Sequence, residues 1–254
     1  MPANSPDKIL EALLETLPEG WQVTRLFRGV TWTASFIENA AGESRVGLAA
    51  TPSGKPAGAG DLLEYGFNRT DQPEARSFSR YALSHEPLEA AAGLATLNAL
   101  LKPDPASLTE IDAGNWLVEQ GRDQRVALVG RFPFINEIEP VARQLWVFEL
   151  DPQPGEFSFA QAPEIIPRAG VLAITGSTLL NHSLLDYLSL ANPTARVIVL
   201  GPSTPLSPVM FDFGIHLLSG IQVVDEKALL DSIAGGLSFR KMSGTRRVSL
   251  AKPA

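Results

Sequence analysis

Two polar loops in the second half of the chain each follow a run of apolar residues. The first loop, Thr175-Gly176-Ser177-Thr178, follows residues 171–174, and the second, Gly201-Pro202-Ser203-Thr204, follows residues 197–200. Hydroxyl groups and unpaired backbone N–H groups at the start of a helix can bind an anionic or polar ligand. Asn181, a few residues later, could add a carboxamide to the first loop. Simple helix capping uses the same residue types, so both interpretations stay open for the first loop.

A weaker nucleotide-like pattern lies between residues 125 and 149. The apolar segment 125–129 ends at Gly130-Arg131-Phe132-Pro133, and Glu149 closes the next apolar segment. Rossmann-type sites bind a ribose diol with an acidic residue about 20 positions after the first strand–helix turn. The glycine fingerprint of such sites is absent here, so an ordinary exposed carboxylate at a strand end is the competing interpretation.

The motifs that would name a reaction are absent. Gly58-Ala59-Gly60 lacks the third glycine of a dinucleotide-binding turn, and Gly54-Lys55 is followed by proline where a phosphate-binding loop needs Ser or Thr. Ser203 is enclosed by prolines and does not form a nucleophile elbow. The sequence therefore assigns no general acid, base or nucleophile, and it leaves the cofactor unknown.

Metal-ligating residues are few. The chain has no cysteine and three histidines, His85, His182 and His216, whose spacing fits no short-range metal-binding motif. The absence of cysteine excludes thiolate nucleophiles and every cysteine-ligated metal or cluster. We predict that the histidines are unrelated and that the chain has no metal site of its own.

The elements that position the polar loops alternate between strand and helix after residue 105. This alternation predicts an α/β fold with a Rossmann-like, doubly wound parallel sheet, whose carboxyl edge is where ligands bind. The predicted strands are 125–129, 145–150, 171–175, 197–200 and 221–224, and the predicted helices are 112–120, 135–143, 178–190 and 226–233.

The first half of the chain has a different pattern. A leading helix, three strands over residues 21–50 and a long helix over 86–101 predict a smaller α+β domain. The alanine-rich long helix, with Gly93, indicates close packing against another backbone. The Pro- and Gly-rich segment 51–60 predicts a loop that is either functional or disordered. We place the domains at 1–104 and 105–240, followed by a basic tail, 241–254, predicted to be disordered.

Composition limits the partners. The 254 residues carry a net charge of -7, which excludes general nucleic-acid binding because phosphate contacts need clustered Lys and Arg. The chain shows no signal peptide and no apolar stretch of about 18 residues, so we expect a cytoplasmic protein that does not contact a membrane. A small-molecule ligand is the expected partner, and self-association stays open.

Several segments combine into a recognisable set. They are Gly93–Leu101 (GLATLNALL), Val126–Ile135 (VALVGRFPFI), Glu149, Ala173–Asn181 (AITGSTLLN), Val199–Ile215 (VLGPSTPLSPVMFDFGI) and Leu217–Asp225 (LLSGIQVVD). With them the chain resembles the family described as "putative heavy-metal chelation". The resemblance implies an enolase N-terminal-like α+β domain, a Rossmann-like domain and a site in the cleft between them.

The resemblance also implies a range of roles for that cleft. They are heavy-metal chelation, or condensation or hydrolysis in making pterin-, flavin- or siderophore-like compounds. The family pattern often has a histidine where this chain has Arg131, so a mechanism resting on that imidazole does not carry over. Heavy metals prefer thiolate and thioether ligands, and this chain offers three methionines and no cysteine. We therefore favour handling of an organic chelator or its precursor over direct metal storage.

Three hypotheses follow. The first is an interdomain cleft that binds a heterocyclic or chelator-type molecule, whether or not a reaction is catalysed there. The second is a non-catalytic protein that binds a metal or a metal chelate, and the third is an adenosyl-cofactor or nucleotide enzyme of methyltransferase type. For the first hypothesis the predicted ligand-binding residues are Arg131, Phe132, Pro133, Glu149, Thr175, Gly176, Ser177, Thr178, Asn181, Gly201, Pro202, Ser203 and Thr204.

Overall fold

A computed structural model of the chain describes residues 7–52, 63–68 and 70–253. It contains a four-stranded antiparallel sheet followed by a seven-stranded, mostly parallel sheet. The predicted fold class, an α/β protein whose parallel sheet follows a smaller α+β unit, is confirmed. The loop predicted over 51–60 lies, from residue 53 onward, outside the described residues.

The first sheet has the strand order β3-β2-β1-β4. Its fourth strand was not among the three predicted strands; it pairs with β1 at the edge of the sheet and all four of its residues are exposed, so it lacks a strong apolar pattern. The elements of this part are α1 (Lys8–Glu15), β1 (Trp21–Arg28), β2 (Trp32–Asn39), β3 (Ser44–Ala50), β4 (Leu63–Gly66), α2 (Ala75–Ser79) and α3 (Pro87–Leu100).

Helix α3 packs very closely on its neighbours, as its small residues predict. A Cβ atom on Gly93 would overlap the backbone nitrogen of Ala82, and one on Gly47 of β3 would overlap the carbonyl oxygen of Ala95. Only residues without side chains permit these approaches. The helix is therefore held flat against both the first sheet and the segment that precedes it.

The second sheet has the strand order β5-β11-β10-β9-β8-β6-β7. Strands β6 to β10 are parallel to one another, whereas β11 runs antiparallel to β10 and to β5. Strand β6 lies between β7 on one side and β8 on the other, so the chain reverses its direction of travel across the sheet at this point. The strands are β5 (Leu108–Thr109), β6 (Arg125–Val129), β7 (Gln144–Phe148), β8 (Val171–Thr175), β9 (Arg196–Leu200), β10 (Leu217–Val223) and β11 (Thr245–Ala251).

Two helices predicted beside the second sheet are shorter than expected. The helix predicted over 135–143 ends at Ile138, and the one predicted over 178–190 begins only at Leu184. The second is interrupted because His182 has a left-handed backbone (φ 58°), which a continuous helix does not allow. The helices of this part are α4 (Ala113–Gly121), α5 (Ile135–Ile138), α6 (Ala162–Ile165), α7 (Leu184–Ser189) and α8 (Glu226–Ala234).

The basic tail is also different from the prediction of disorder over 241–254. Residues Thr245–Ala251 form β11, which lies between β10 and β5 inside the sheet. In the sequence the apolar Val248 and Leu250 alternate with the polar Arg247 and Ser249, as in a strand, and Val248, Ser249 and Leu250 are all buried. The high density of positive charge in this segment led to the prediction of disorder despite this short apolar pattern.

One hydrophobic core extends across both sheets. It combines side chains of α1 and α3 with those from one face of β6, β8 and β9, and α4 and α5 cover the opposite face. Helix α8 packs on the other face of the first sheet, where Leu229 and Ile233 contact Phe36 and Trp32. A continuous core does not by itself mark a boundary between domains. The boundary predicted near residue 104 therefore stays a proposal. None of the helices in the described ranges is long and apolar enough to cross a membrane.

Candidate functional site

A cavity of about 980 Å³, here called the cleft, lies at the carboxyl ends of β6 to β9. Its walls come mainly from the loops after these strands, and the first sheet contributes Ala50, Thr51 and Pro52. The cleft includes the point between β6 and β8 where the chain changes direction across the sheet. In open α/β sheets this switch point is the usual place for a ligand.

Two glycines let the chain leave the sheet at the floor of the cleft. Gly130 after β6 and Gly201 after β9 have φ values of 111° and 113°, which side-chain-bearing residues rarely adopt. Thr175 at the end of β8 lies between them, and a Cβ atom on Gly130 would lie 3.2 Å from the Thr175 Cβ. The floor is therefore narrow and made largely of backbone.

The loop after β8 is held together by its own hydroxyl groups. Thr175 Oγ1 lies 3.0 Å from Ser177 Oγ, and the Thr178 hydroxyl donates to the Thr175 carbonyl oxygen at 2.7 Å. Thr175 Oγ1 also accepts a hydrogen bond from the Ser177 backbone N–H at 3.4 Å. Residues Gly176–Leu179 form a single 3₁₀ turn that Thr175 caps. This geometry favours the capping interpretation of the first polar loop, while the Ser177 side chain still lines the cleft.

Asn181 lines the cleft in the segment that follows. Its Oδ1 accepts hydrogen bonds from the backbone N–H and the hydroxyl of Ser183, at 3.3 and 2.6 Å. His182 between them is buried and faces away, with Nδ1 2.6 Å from Asp7 Oδ1 and Nε2 3.0 Å from the Ser84 carbonyl oxygen. The His182 contacts thus anchor a cleft-lining segment to the amino-terminal part of the chain.

Two of the three histidines lie close together, which their spacing in the sequence did not indicate. The rings of His85 and His182 lie 4.9 Å apart, whereas His216 lies at the opposite edge of the sheet, where its Nδ1 accepts a hydrogen bond from the Val197 N–H. All three histidines are described by the structure, and none of them lines the cleft.

Arg131 lies at the cleft but is already paired. Its Nε and Nη2 donate to the two carboxylate oxygens of Glu156 at 2.7 and 2.6 Å, and Nη2 also reaches the Asp151 carbonyl oxygen at 3.3 Å. Hydrogen bonds from Arg131 first, and from the Gln153 N–H second, lower the pKa of Glu156 from 4.5 to about 2. The pair therefore keeps its charges across the physiological range and fixes the loop after β7.

Aromatic rings line much of the same end of the cleft. Phe132 and Phe134 are stacked, with ring centres 5.5 Å apart and planes within 2° of each other. Phe148 and Tyr187 add a T-shaped pair with ring centres 6.4 Å apart. Flat apolar walls of this kind suit a planar ligand.

Glu149 follows β7 directly and lines the cleft together with Tyr187. Burial above all, and then the negative charges of Glu149 and Asp186, raise the pKa of the Tyr187 phenol. The phenol therefore stays protonated near neutral pH. The cleft thus has a carboxylate acceptor close to a phenol that can donate.

Three of the predicted ligand-binding residues lie behind the wall of the cleft. Gly201 and Pro202 line it, but Ser203 and Thr204 are buried, and the Ser203 hydroxyl accepts the Ala50 N–H at 2.8 Å across to the first sheet. Gly176 packs against Thr204, where an added Cβ would lie 2.7 Å from the Thr204 nitrogen. Pro133, Phe132 and the remaining predicted residues line the cleft, and their role in ligand binding stays a prediction.

Sequence reasoning missed the end of the cleft beyond β10. Ser238, Phe239 and Arg240 from a turn after α8, and Arg247 from β11, line this end with Ser219 and Gly220 of β10. They belong to the segment where the sequence predicted a domain end and a disordered tail. The alternation of the polar Arg247 and Ser249 with the apolar Val248 and Leu250 in the sequence was a signal that could have placed Arg247 on a strand.

Among the residues that the structure describes, six ionisable side chains line the cleft. The ionisable residues that line the cleft are Asp112, Arg131, Glu149, Tyr187, Arg240 and Arg247. Asp112 caps helix α4 by accepting the Asn115 N–H, and Arg131 is bound to Glu156. Within the described ranges no group of three or more His, Cys, Asp or Glu residues could hold a metal ion.

Family models match both parts of the chain. Residues 112–252, more than half of the chain, match the model DUF364, which is described as "putative heavy-metal chelation". Residues 10–101 match a second model, DUF4213, with the same description.

Individual proteins are similar over nearly the whole length. An uncharacterised protein of Methanocaldococcus jannaschii is 26% identical over 226 residues, which cover 86% of this chain and 85% of that protein. A crystal structure of a DUF364-family protein of unknown function from Desulfitobacterium hafniense has a TM-score of 0.78 at 23% identity and covers 99% of this chain and 100% of that one. A second, from Pyrococcus horikoshii, has a TM-score of 0.75 at 20% identity and covers 97% and 99%. These two structures show that the fold is shared.

Proposed function

Because the chain belongs to the family described as "putative heavy-metal chelation", we propose that its cleft binds an organic, chelator-type or heterocyclic small molecule. The observation that carries this proposal is an aromatic-lined cavity of about 980 Å³ at the switch point of a parallel sheet. Cavities that enclose drug-sized ligands generally span about 300–1,000 Å³. A bicyclic or tricyclic ring system would fit within this volume.

The aromatic walls support a planar ligand. The rings of Phe132 and Phe134 have nearly the same orientation, and Tyr187 offers a phenolic donor nearby in the same cleft. Stacking on such rings is worth about 0.5–1.5 kcal/mol beyond the burial of area. Catechols, pterins and flavins all combine a flat ring with polar edge groups.

The donor set supports a chelator rather than a bare metal ion. Of the two carboxylates that line the cleft among the residues that the structure describes, Asp112 already caps a helix, which leaves Glu149. One carboxylate is too small a ligand set for a divalent ion, which prefers four or more protein or water ligands. A metal that reaches this cleft would therefore keep the ligands of its organic chelator.

Binding can be tested by calorimetry and thermal shift. The probes are pterin, riboflavin and catechol, each alone and with Fe³⁺, titrated into the full chain. We expect at least one probe to bind, and we expect Phe132→Ala to weaken its binding by about tenfold through lost stacking. Tyr65→Ala, which removes an exposed aromatic ring outside the cleft, is the matched control. No binding by any probe, with or without metal, would overturn the proposal.

A nucleoside is the second candidate ligand, and the position of Glu149 favours it. Glu149 follows β7, which lies beside β6, and the first strand–helix turn of the sheet contains Gly130 with its positive φ. This is the relation between the first turn and the ribose-binding acid in Rossmann-type sites. The sequence fingerprint is absent, so the geometry alone carries this candidate.

The ribose provides the test for the nucleoside. S-adenosylmethionine and adenosine should bind the wild-type chain, and 2′-deoxyadenosine should bind less well because it lacks one hydroxyl for Glu149. Glu149→Gln should reduce the preference for adenosine about tenfold. Asp151→Asn, a neighbouring exposed carboxylate, is the control. Equal binding of adenosine and its deoxy form, or no binding of either, would remove this candidate.

A further inference from the structure

The end of the cleft beyond β10 carries two arginines on separate segments. Arg240 lies in the 3₁₀ turn Phe239–Lys241, and Arg247 lies in β11 opposite Ile221 of β10. Both line the cleft and both are exposed. The fold thus brings two positive charges to one end of the same cavity.

The two guanidinium groups have no carboxylate partner in the described part of the chain. Among the residues that the structure describes, no Asp or Glu oxygen lies within 4.0 Å of Arg240 or Arg247. The Arg247 guanidinium instead lies over the Phe239 ring, 4.9 Å from its centre. A guanidinium stacked in this way still has N–H donors at its edge that can bind an oxyanion.

The positive charge of Arg240 and Arg247 contrasts with the charge of the rest of the chain and with that of Arg131. The whole chain carries a net charge of -7, and the other cleft-lining arginine, Arg131, is neutralised by Glu156. Two like charges at one end of a cleft repel each other and attract an anion more strongly than an open surface does. Ser219 and Ser238 lie at the same end and add hydroxyl donors.

We propose that Arg240 and Arg247 form an anion subsite that binds a carboxylate or phosphate group of the ligand. This inference rests on the proposed function, because it assigns the acidic group of a ligand whose ring the aromatic end of the cleft would hold. The ligand class then narrows to planar molecules that carry an acidic substituent. A phosphate and a carboxylate share the chemistry that two guanidinium groups recognise.

Matched pairs of probes test the subsite. FMN and riboflavin differ by a phosphate, and 2,3-dihydroxybenzoate and catechol differ by a carboxylate. Dissociation constants are measured by calorimetry at low and high salt with the wild-type chain. We expect the anionic member of at least one pair to bind about tenfold more tightly than its neutral partner, with a preference that falls as salt rises.

Two double variants complete the test. Arg240→Gln with Arg247→Gln should bring the preference for the anionic member close to one. Lys241→Gln with Arg246→Gln removes the same charge from neighbouring residues that do not line the cleft, and it should keep the preference. A preference in the FMN pair alone identifies a phosphate site, and one in the dihydroxybenzoate pair alone identifies a carboxylate site.

The outcomes separate the subsite from the proposed function. If neutral probes bind and neither anionic partner binds more tightly, the subsite is overturned and the proposed function stands. If no organic probe binds, inorganic phosphate decides: a rise in melting temperature of the wild-type chain that the Arg240/Arg247 double variant lacks supports the subsite, and equal behaviour of the two overturns it. If the double variant does not fold, the preference of the wild-type chain for the anionic probes, and the dependence of that preference on salt, still test the subsite.

Discussion

The two ends of the cleft use arginine in different ways. At the end beside β7, Arg131 is bound through two hydrogen bonds to Glu156 and contributes little free charge to the cavity. At the end beyond β10, Arg247 lies on the Phe239 ring without a carboxylate partner among the described residues. The first arrangement stabilises a loop, whereas the second leaves guanidinium N–H donors that the proposed anion subsite would use. The residue type alone therefore does not identify the binding group; its partners do.

The largest expected effect is a loss of stability at the loops after β8 and β9, which lie between the two ends of the cleft. Gly176→Ala would place a Cβ 2.7 Å from the Thr204 nitrogen, so the loops after β8 and β9 would have to separate. We expect the free energy of unfolding to fall by about 2 kcal/mol, as for other overpacked sites. Urea denaturation measures this loss.

The matched control for this substitution is Gly66→Ala. Nothing lies within 4 Å of the Cβ that it adds, so the same chemical change should leave stability nearly unaltered. Equal stability of the two variants would show that the β8 and β9 loops are not held as closely as described here.

The second prediction makes the β7 end resemble the β10 end. Glu156→Gln removes the carboxylate that neutralises Arg131 and frees a positive charge at the cleft. We expect FMN to bind about threefold more tightly, from the Coulomb attraction of one added charge in a mostly aqueous cleft. Glu164→Gln, which removes a charge from helix α6 outside the cleft, is the control. Weaker FMN binding in Glu156→Gln than in the control would contradict this interpretation.

The third prediction concerns how the stability of the chain changes at low pH. Since Arg131 and Gln153 lower the pKa of Glu156 from 4.5 to about 2, the folded chain holds this carboxylate ionised where the unfolded chain protonates it. Its contribution to stability is therefore present above about pH 4.5 and is lost as the pH falls towards 2. The difference in unfolding free energy between the wild type and Glu156→Gln should shrink over that range. A difference that is independent of pH would show that the pair is not coupled to folding.

The smallest effect is expected at the opposite edge of the sheet. Burial first, and then the charges of Arg196 and Lys252, lower the pKa of His216. The unfolded chain thus binds a proton more readily, and this contribution to stability decreases as the pH falls below about 6.5. His216→Asn, which can keep an acceptor for the Val197 N–H, should weaken that pH dependence and leave FMN binding unchanged. Altered FMN binding would mean that the two edges of the sheet are not independent.

The parts of the fold that the sequence predicted are those with strong local patterns. Apolar runs such as Val171–Thr175 mark buried parallel strands, and the loops that follow them reach the cleft because parallel strands share a carboxyl edge. Glu149 was placed correctly at that edge for the same reason. Whether it binds a ligand stays a prediction.

The missed parts depend on contacts distant in sequence. Nothing local shows that Ser203 accepts the Ala50 N–H, or that Glu156 and not a ligand would hold Arg131. The break at His182 accompanies the anchoring of its imidazole near Asp7 and at the Ser84 carbonyl oxygen, both distant in sequence. Strand β11 needs β10 and β5 as partners before its two buried apolar residues outweigh its charged ones.

Strand β11 also has a consequence for the order in which the chain is made. Arg247 is later in the sequence than every other residue that lines the cleft. Synthesis from the amino terminus therefore produces the residues of the aromatic walls and of the Arg131–Glu156 pair before it produces this cation. A product that terminates before residue 245 would lack both the strand that joins β10 to β5 and one of the two arginines of the proposed anion subsite. If the proposed subsite exists, anion binding would require translation through β11.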